Sequence, residues 1–207
     1  MKRLVCCLAA AAMLLAVQAA EADGPRAGSP YSIIPMPARI VMAQGSYTLP
    51  AQGAKVYIRG AETGALAQYM SASALRTTTI GSRGKADITI TISGKSARQA
   101  AAEGYTLTVT PKRIAISAAT ETGAFYAVQT LLQLTAQGTS HSIDCCTITD
   151  QPRCPYRGLH FDVSRHFFSK AYLLKQIDAM ALLKLNRMHL HLTDAAGWRL
   201  AIDRYPR

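Results

Sequence analysis

Several short segments between residues 47 and 117 have the pattern of β-strands, and together they predict a β-sheet. Ile88, Ile90 and Ile92 alternate with threonines, which indicates a strand that buries one face. Similar patterns predict further strands at residues 47–49, 55–58, 105–109 and 114–117, with the last two joined as a hairpin.

Two other segments repeat their apolar residues at helical spacing. Apolar side chains recur at intervals of three and four within residues 61–76 and again within residues 122–134, so both segments predict amphipathic helices. Such helices cover the apolar face of a sheet. We therefore expect residues 24–150 to form an α+β domain, an antiparallel sheet with helices on one face.

The pattern changes after Pro152 and Pro155, two prolines that interrupt regular structure. Three predicted elements follow: a strand at residues 158–163, a helix at residues 170–185 with Ser169 as its N-cap, and a strand at residues 187–193. Strand, helix and strand in this order form a β-α-β unit with parallel strands. Residues 151–207 are therefore expected to begin a second, parallel α/β domain.

Candidate chemistry lies where these two strands end. Arg165 follows the first strand and Asp194 ends the second. The carboxyl ends of neighbouring parallel strands meet in one crevice, so we expect the two side chains within a few ångströms of each other. A guanidinium suits two adjacent hydroxyls or a carboxylate. The pair predicts a binding site or, equally, a structural ion pair.

Histidines in the second strand raise a metal-binding alternative. His189 and His191 project from the same face, about 7 Å apart, and a His-x-His pair can bind zinc. His160 and His166 do not lie at matching places for a third ligand. Histidines packed in a barrel interior are therefore favoured over a metal site, and no cofactor is predicted.

Two further residues of this region have open interpretations. Asp162 lies within the first strand, where we expect a buried carboxylate paired with Arg157 or His191. Trp198 is the one tryptophan, and it suits packing better than a sugar-stacking platform.

The first 20 residues have the pattern of a secretory signal peptide. A Lys-Arg pair precedes an apolar stretch at residues 4–17, and small residues follow it. The stretch is shorter than the ~20 residues of a membrane span, although an uncleaved anchor is the alternative. We expect residues 1–20 to be removed, and the mature chain to be exported to the periplasm or the extracellular space without a membrane span.

Export permits disulfides, but the remaining cysteines are odd in number. Cys154 could pair with Cys145 or Cys146, or all three could be free thiols. His141 and Asp144 lie near the adjacent pair, yet the spacing matches no standard zinc pattern.

Composition narrows the function classes. The 207 residues are 49% apolar and carry a net charge of +11, which suits a globular chain with a core. No run of Lys or Arg exceeds two residues, whereas nucleic-acid binding favours clustered positive charge. We therefore expect no nucleic-acid partner.

Eight short segments together carry a family resemblance. In chain order they are Ile34-Pro35-Met36-Pro37, Gly123-Ala124-Phe125-Tyr126, Gln129-Thr130-Leu131-Leu132-Gln133-Leu134, Arg157-Gly158-Leu159-His160-Phe161-Asp162-Val163-Ser164-Arg165-His166-Phe167-Phe168, Ile177-Asp178-Ala179-Met180, Lys184-Leu185-Asn186, His189-Leu190-His191-Leu192-Thr193-Asp194 and Gly197-Trp198-Arg199. They resemble glycoside hydrolase family 20, the β-N-acetylhexosaminidases, in a small α+β domain followed by the start of a (β/α)8 barrel.

The resemblance implies a glycosidase that removes terminal β-linked N-acetylhexosamine from glycans. In this family the acetamido oxygen of the substrate attacks the anomeric carbon, so the hydrolysis is substrate-assisted and retaining. A Glu protonates the leaving oxygen and an adjacent Asp orients the acetamido group. Arg165 falls on the family arginine that holds sugar hydroxyls, and Asp194 on an aspartate of the active-site network, which His191 and Asp162 could extend.

One departure from the family pattern bears directly on activity. The chain contains no Asp-Glu dipeptide, and 57 residues follow Asp150, whereas a complete barrel takes about 250. We therefore expect a fragment with about two of the eight strands, with the catalytic Asp-Glu pair beyond Arg207 and no hydrolytic activity of its own. The alternatives are a metal-dependent hydrolase using His189 and His191, and a non-catalytic glycan-binding module; the sequence does not predict an oligomeric state.

Overall fold

A computed structural model describes residues 31–60, 63–94, 99–138 and 141–205. The expected signal peptide at residues 1–20 lies outside the described residues, and so does Arg207, beyond which the Asp-Glu pair is expected. The elements up to residue 150 are the strands β1 (Arg39–Thr48), β2 (Lys55–Arg59), β3 (Thr78–Thr79), β4 (Ile88–Ile92), β5 (Tyr105–Thr110), β6 (Arg113–Ala118) and β7 (Ser142–Asp150), and the helices α1 (Gly64–Ala72), α2 (Gln99–Ala102) and α3 (Glu121–Gln137), with a short 3-10 turn at Arg83–Lys85.

The seven strands form one sheet in the order β1-β7-β5-β6-β4-β2-β3. The expectation of an antiparallel sheet is wrong, because β6, β4, β2 and β3 pair in parallel while β1, β7, β5 and β6 pair antiparallel. The period of two reveals a buried face but not the direction of the neighbouring strand. That direction depends on how the chain returns, and α1 carries it from β2 to the parallel β3 as a crossover.

The core lies between this sheet and α3. Ile90, Leu107 and Ile116 are completely or almost completely buried, and α3 contacts β4, β5, β6 and β7. The helix begins at Glu121, one residue before the predicted start, because the side chain of Thr120 accepts a hydrogen bond from the backbone N–H of Gly123. Helix α1 contacts α3 and adds Leu66 to the same core, so the described helices α1 and α3 share that core.

Strand β7 contains two of the cysteines that sequence reasoning left open. Cys145, Cys146 and Cys154 are free thiols, the first two buried and the third exposed. Burial raises the pKa of Cys146 to about 11. The two buried thiols therefore pack as small apolar residues and are poor nucleophiles.

The second unit has the predicted β-α-β order. Its elements are the strands β8 (Gly158–Asp162), β9 (Arg187–His191), β10 (Thr193–Asp194) and β11 (Gly197–Trp198), and the helix α4 (Lys170–Leu182). Strands β8 and β9 pair in parallel, and β10 and β11 form a small antiparallel hairpin. Ser169 caps α4 as expected, because its side chain accepts a hydrogen bond from the backbone N–H of Tyr172.

Two buried ion pairs join this unit to the α+β domain. Arg157, just before β8, pairs with Glu103, and Lys184, between α4 and β9, pairs with Asp150 at 2.8 Å. Lys184 also donates to the hydroxyl of Tyr105 at 2.8 Å. Both pairs hold the amino ends of β8 and β9, so the carboxyl ends remain available for a site.

Among the helices in the part of the chain that the structure describes, none is long and apolar enough to cross a membrane.

Candidate functional site

Arg165 and Asp194 lie together, as the positions of the strand ends predict. Arg165 is in the turn after β8 and Asp194 is in β10, directly after β9. Nη2 of Arg165 lies 2.8 Å from Oδ2 of Asp194. The side chain of Arg165 is 66% exposed, so the guanidinium is accessible to a ligand in the crevice.

Asp162 completes the surroundings of this guanidinium and corrects a prediction. Its Oδ2 accepts a hydrogen bond from Nη1 of Arg165 at 2.8 Å, and its Oδ1 accepts from the backbone N–H groups of Ser164 and Arg165. Of the two expected partners, Arg157 is wrong, because it lies before the opposite end of β8 and pairs with Glu103. The other, His191, helps to lower the pKa of Asp162 through its charge, while its close contact is with Asp194. The carboxylate of Asp162 is also partly exposed rather than buried.

Hydrogen bonds and charge keep both carboxylates ionised. The backbone N–H and then the guanidinium of Arg165 lower the pKa of Asp162, and the backbone N–H of Ala195 and then Arg165 lower the pKa of Asp194. Two carboxylates therefore grip one guanidinium from two sides and fix its plane.

The histidines of β8 and β9 line the same face of the strand pair. His160 lies opposite His189 in the parallel register, with ring centroids 4.5 Å apart, and the centroid of His191 lies 6.2 Å from that of His160. His160 is thus closer to the pair than sequence reasoning allowed. Across the described residues, no three His, Cys, Asp or Glu side chains are arranged to hold a metal ion.

His191 lies at the edge of the site, and its Nε2 makes no hydrogen bond within the described residues. Its Nε2 lies 3.2 Å from Oδ2 of Asp194, but within the described residues the geometry there is not that of a hydrogen bond. The oxygen already accepts from Arg165. His191 therefore lies against Asp194, and its part in a polar network stays a prediction.

Sequence reasoning missed the residues that hold the Arg165 turn. Arg199 donates to the backbone carbonyls of Val163 and Ser164, and the hydroxyl of Ser164 donates to the carbonyl of Gly197. The segment Gly197-Trp198-Arg199 was part of the resemblance, but nothing in its spacing indicated this contact. Trp198 itself is 55% exposed.

The Asp-Glu pair expected beyond Arg207 does not enter this geometry. The sequence contains no Asp-Glu dipeptide, so the position of the pair stays a prediction. Among the described residues, the ion pairs at the strand ends join the guanidinium of Arg165 to Asp162 and Asp194, and the imidazole of His191 lies beside Asp194. They can bind and orient a ligand, and the lowered pKa values of the two carboxylates do not suit either as a neutral acid.

A separate cavity lies at the opposite end of β9. It has a volume of about 660 Å³ and is lined by side chains of α1, α3, α4 and the start of β9, among them Tyr69, Phe125, Met180 and Arg187. Its lining contains neither Arg165 nor Asp194, so it is not part of the site described above.

Comparison with known proteins gives a consistent result across the chain. Residues 30–151 match the profile described as "Glycosyl hydrolase family 20, domain 2", and residues 154–207 match "Glycosyl hydrolase family 20, catalytic domain". The beta-hexosaminidase of Akkermansia muciniphila is 47% identical over 107 residues, which are 51% of this chain and 22% of that protein.

Solved structures resemble the chain over most of its length. The beta-N-acetylhexosaminidase from Bacteroides fragilis matches with a TM-score of 0.74 and 30% identity, over 84% of this chain and 36% of that chain. A mutant Streptomyces plicatus beta-hexosaminidase in complex with product (GlcNAc) matches with a TM-score of 0.70 and 30% identity, over 84% and 37%. The chain spans about a fifth of the length of the curated relatives that it matches.

Proposed function

The chain belongs to glycosyl hydrolase family 20, and from that premise we propose that it carries the first part of a glycosidase that removes terminal β-linked N-acetylhexosamine from glycans. In this proposal residues 24–150 are the α+β domain and residues 151–207 start a (β/α)8 barrel. Residues 1–20 direct export to the periplasm or the extracellular space.

The observation that carries the proposal is that Asp162 and Asp194 both form ion pairs with Arg165. A guanidinium has five N–H groups, and among the described contacts each carboxylate takes one, at 2.8 Å. The other three N–H groups of Arg165 belong to a guanidinium whose plane is fixed by the two carboxylates and whose side chain is exposed. That arrangement suits adjacent hydroxyls of a terminal sugar, and the two carboxylates hold it in place before the sugar arrives.

Each residue then has a defined task in a substrate-assisted reaction. Arg165 donates hydrogen bonds to sugar hydroxyls, and Asp194 and Asp162 orient it. His191 adjoins Asp194 and extends the polar network. The acetamido oxygen of the sugar is the nucleophile, so this wall of the pocket needs to bind and orient but does not need to attack.

The proton donor of the reaction is not supplied by this segment. The four glutamates are Glu21, Glu62, Glu103 and Glu121, all upstream of β8, and Glu103 is committed to its buried pair with Arg157. We therefore assign general acid catalysis to an Asp-Glu pair beyond Arg207, and we expect the 207-residue chain alone to leave a chromogenic N-acetylglucosaminide intact.

A grafted enzyme tests the proposal. Residues 154–207 replace the matching segment of the Bacteroides fragilis beta-N-acetylhexosaminidase, and hydrolysis of 4-nitrophenyl N-acetyl-β-D-glucosaminide is measured. We expect the graft to be active and Arg165→Ala to lower kcat/KM about 100-fold or more, because charge-assisted hydrogen bonds are worth roughly 1.5–3 kcal/mol each.

Arg187→Ala is the matched control, because Arg187 begins β9 at the end remote from the site. Its kcat/KM is expected to stay close to that of the unsubstituted graft. Equal losses in the two variants, or full activity of Arg165→Ala, would refute the assigned role of Arg165. Release of 4-nitrophenol by the 207-residue chain alone would refute the placement of the acid.

A further inference from the structure

We propose that Arg199 is a positioning residue that fixes the turn presenting Arg165 to the sugar, an inference that rests on the function proposed above. The residues of this turn differ sharply in exposure. Val163 and Ser164 are 4% and 0% exposed, while the next side chain, Arg165, is 66% exposed. A turn with two buried residues needs partners for its polar backbone groups.

Arg199 supplies those partners from the neighbouring hairpin. Its Nε lies 2.9 Å from the carbonyl oxygen of Val163, and its Nη2 lies 3.1 Å from that of Ser164. The guanidinium also lies over the ring of Phe167, 5.5 Å from the centroid. One rigid fork thus holds two successive carbonyls of the turn, a geometry that a lysine cannot reproduce.

Gly197 allows the hairpin to approach closely enough. The hydroxyl of Ser164 donates to the carbonyl of Gly197 at 2.6 Å. A Cβ at position 197 would lie 2.8 Å from the carbonyl oxygen of Ser164 and 2.9 Å from Nη2 of Arg199. Glycine at position 197 therefore allows the backbone of the hairpin to contact the backbone of the turn at Ser164.

The same hairpin carries Asp194, which pairs with Gly197 in the register of β10 and β11. The contact that holds the turn thus also fixes the distance between Arg165 and Asp194, which are 2.8 Å apart. Arg199 does not need to touch the sugar to affect its binding. It acts through the backbone that sets the guanidinium of Arg165 between its two carboxylates.

Side-chain NMR of the full 207-residue chain tests the positioning role without any sugar. In the unsubstituted chain Nη1 and Nη2 of Arg165 donate to different carboxylates, so we expect separate signals. In Arg199→Ala we expect these signals to merge, because the loosened turn lets the guanidinium rotate. Arg199→Lys, which can reach one carbonyl, should give an intermediate spectrum.

Two further variants keep the test decisive if Arg199→Ala does not fold. Gly197→Ala retains Arg199 but forces the backbones apart, so it should also merge the signals. Phe167→Leu removes the ring contact and leaves both hydrogen bonds, so it should keep the signals separate. Separate, unshifted Arg165 signals in both Arg199→Ala and Gly197→Ala would overturn the proposal.

Kinetics of the grafted enzyme link the positioning role to the reaction. Arg199→Ala is expected to raise KM about 10-fold and to change kcat much less, since it weakens ground-state and transition-state binding together. In an Arg165→Ala background the same change should add nothing, because the two residues act through one contact. If the effects of Arg199→Ala and Arg165→Ala on kcat/KM add fully in the double variant, the inference is contradicted. If the grafted enzyme is inactive but Arg199→Ala still merges the Arg165 signals in the 207-residue chain, only the proposed function is contradicted.

Discussion

At the scale of single residues, the site consists of Arg165 held between Asp162 and Asp194, each 2.8 Å from one of its terminal nitrogens. The proximity of Arg165 and Asp194 follows from a general property of parallel strands, whose carboxyl ends share one edge. The partner of Asp162 could not be predicted in the same way. It depends on residues 163–165 turning back so that the guanidinium reaches a carboxylate three positions earlier, and neither period nor spacing encodes that turn.

Acid is expected to destabilise the chain through these two carboxylates. Their pKa values lie below the ordinary 3.8 in the folded chain, so as the pH falls the unfolded chain binds protons first. Their stabilising contribution is therefore present above the unfolded pKa and is lost as the pH falls through the folded pKa. We therefore expect the urea concentration at the unfolding midpoint to decrease as the pH is lowered from about 6 to about 2.

Asp194→Asn should show a smaller decrease over the same range, because one of the titrating groups is gone. Asp178→Asn, which changes an exposed carboxylate on α4, serves as the control and should follow the unsubstituted chain. If the pH dependence of Asp194→Asn equals that of the unsubstituted chain, the hydrogen bonds and charge described for Asp194 do not stabilise the fold.

At the scale of elements, the sequence predicts which segments are strands better than how they pair. Strand β7 was missed because Cys145 and Cys146 are both buried, which breaks the period of two. The pairing is also irregular nearby, because the register of β1 with β7 shifts between Met42 and Ser46. Gly45 lies within this irregularity at φ +92°, a conformation that favours glycine. An alternation pattern read on one strand cannot show an irregularity in its partner.

The junction between the α+β domain and the second unit rests on buried charge. Arg157 donates to the carbonyls of Cys154 and Lys184, to the hydroxyl of Tyr126 and to Glu103. Burial lowers the pKa of Lys184 against the opposing attraction of Asp150. Because a buried charge without a partner is costly, these pairs fix the junction in one arrangement.

Removing one residue of a buried ion pair at the junction should therefore lower the free energy of unfolding more than removing both residues. Arg157→Met is expected to lower the free energy of unfolding by about 3–5 kcal/mol, because it leaves Glu103 buried without its cation. The double variant Glu103→Leu/Arg157→Met should be clearly more stable than the single one. Urea denaturation measures both, with the exposed Arg113→Met as control; a double variant as unstable as Arg157→Met would contradict this account of the junction.

At the scale of the whole molecule, the two parts differ in how completely they bury their apolar side chains. The sheet and α3 enclose a core, whereas the second unit leaves large apolar residues in solvent: Phe167 is 65% exposed, Leu174 50%, Ile177 47% and Leu182 42%. Exposed apolar surface of this kind indicates contacts with further structure. The family match accounts for it, since the solved relatives are nearly three times as long as the part that they share with this chain.

The central claim is that Arg165, held by Asp162 and Asp194, forms one wall of an N-acetylhexosamine pocket. A crystal structure of the grafted enzyme with bound N-acetylglucosamine tests it most directly. We predict N–H groups of Arg165 within about 2.7–3.2 Å of sugar hydroxyls, with both carboxylates still on the guanidinium. A sugar bound in the active site beyond the reach of Arg165, or an Arg165 side chain turned away from Asp194, would contradict the account.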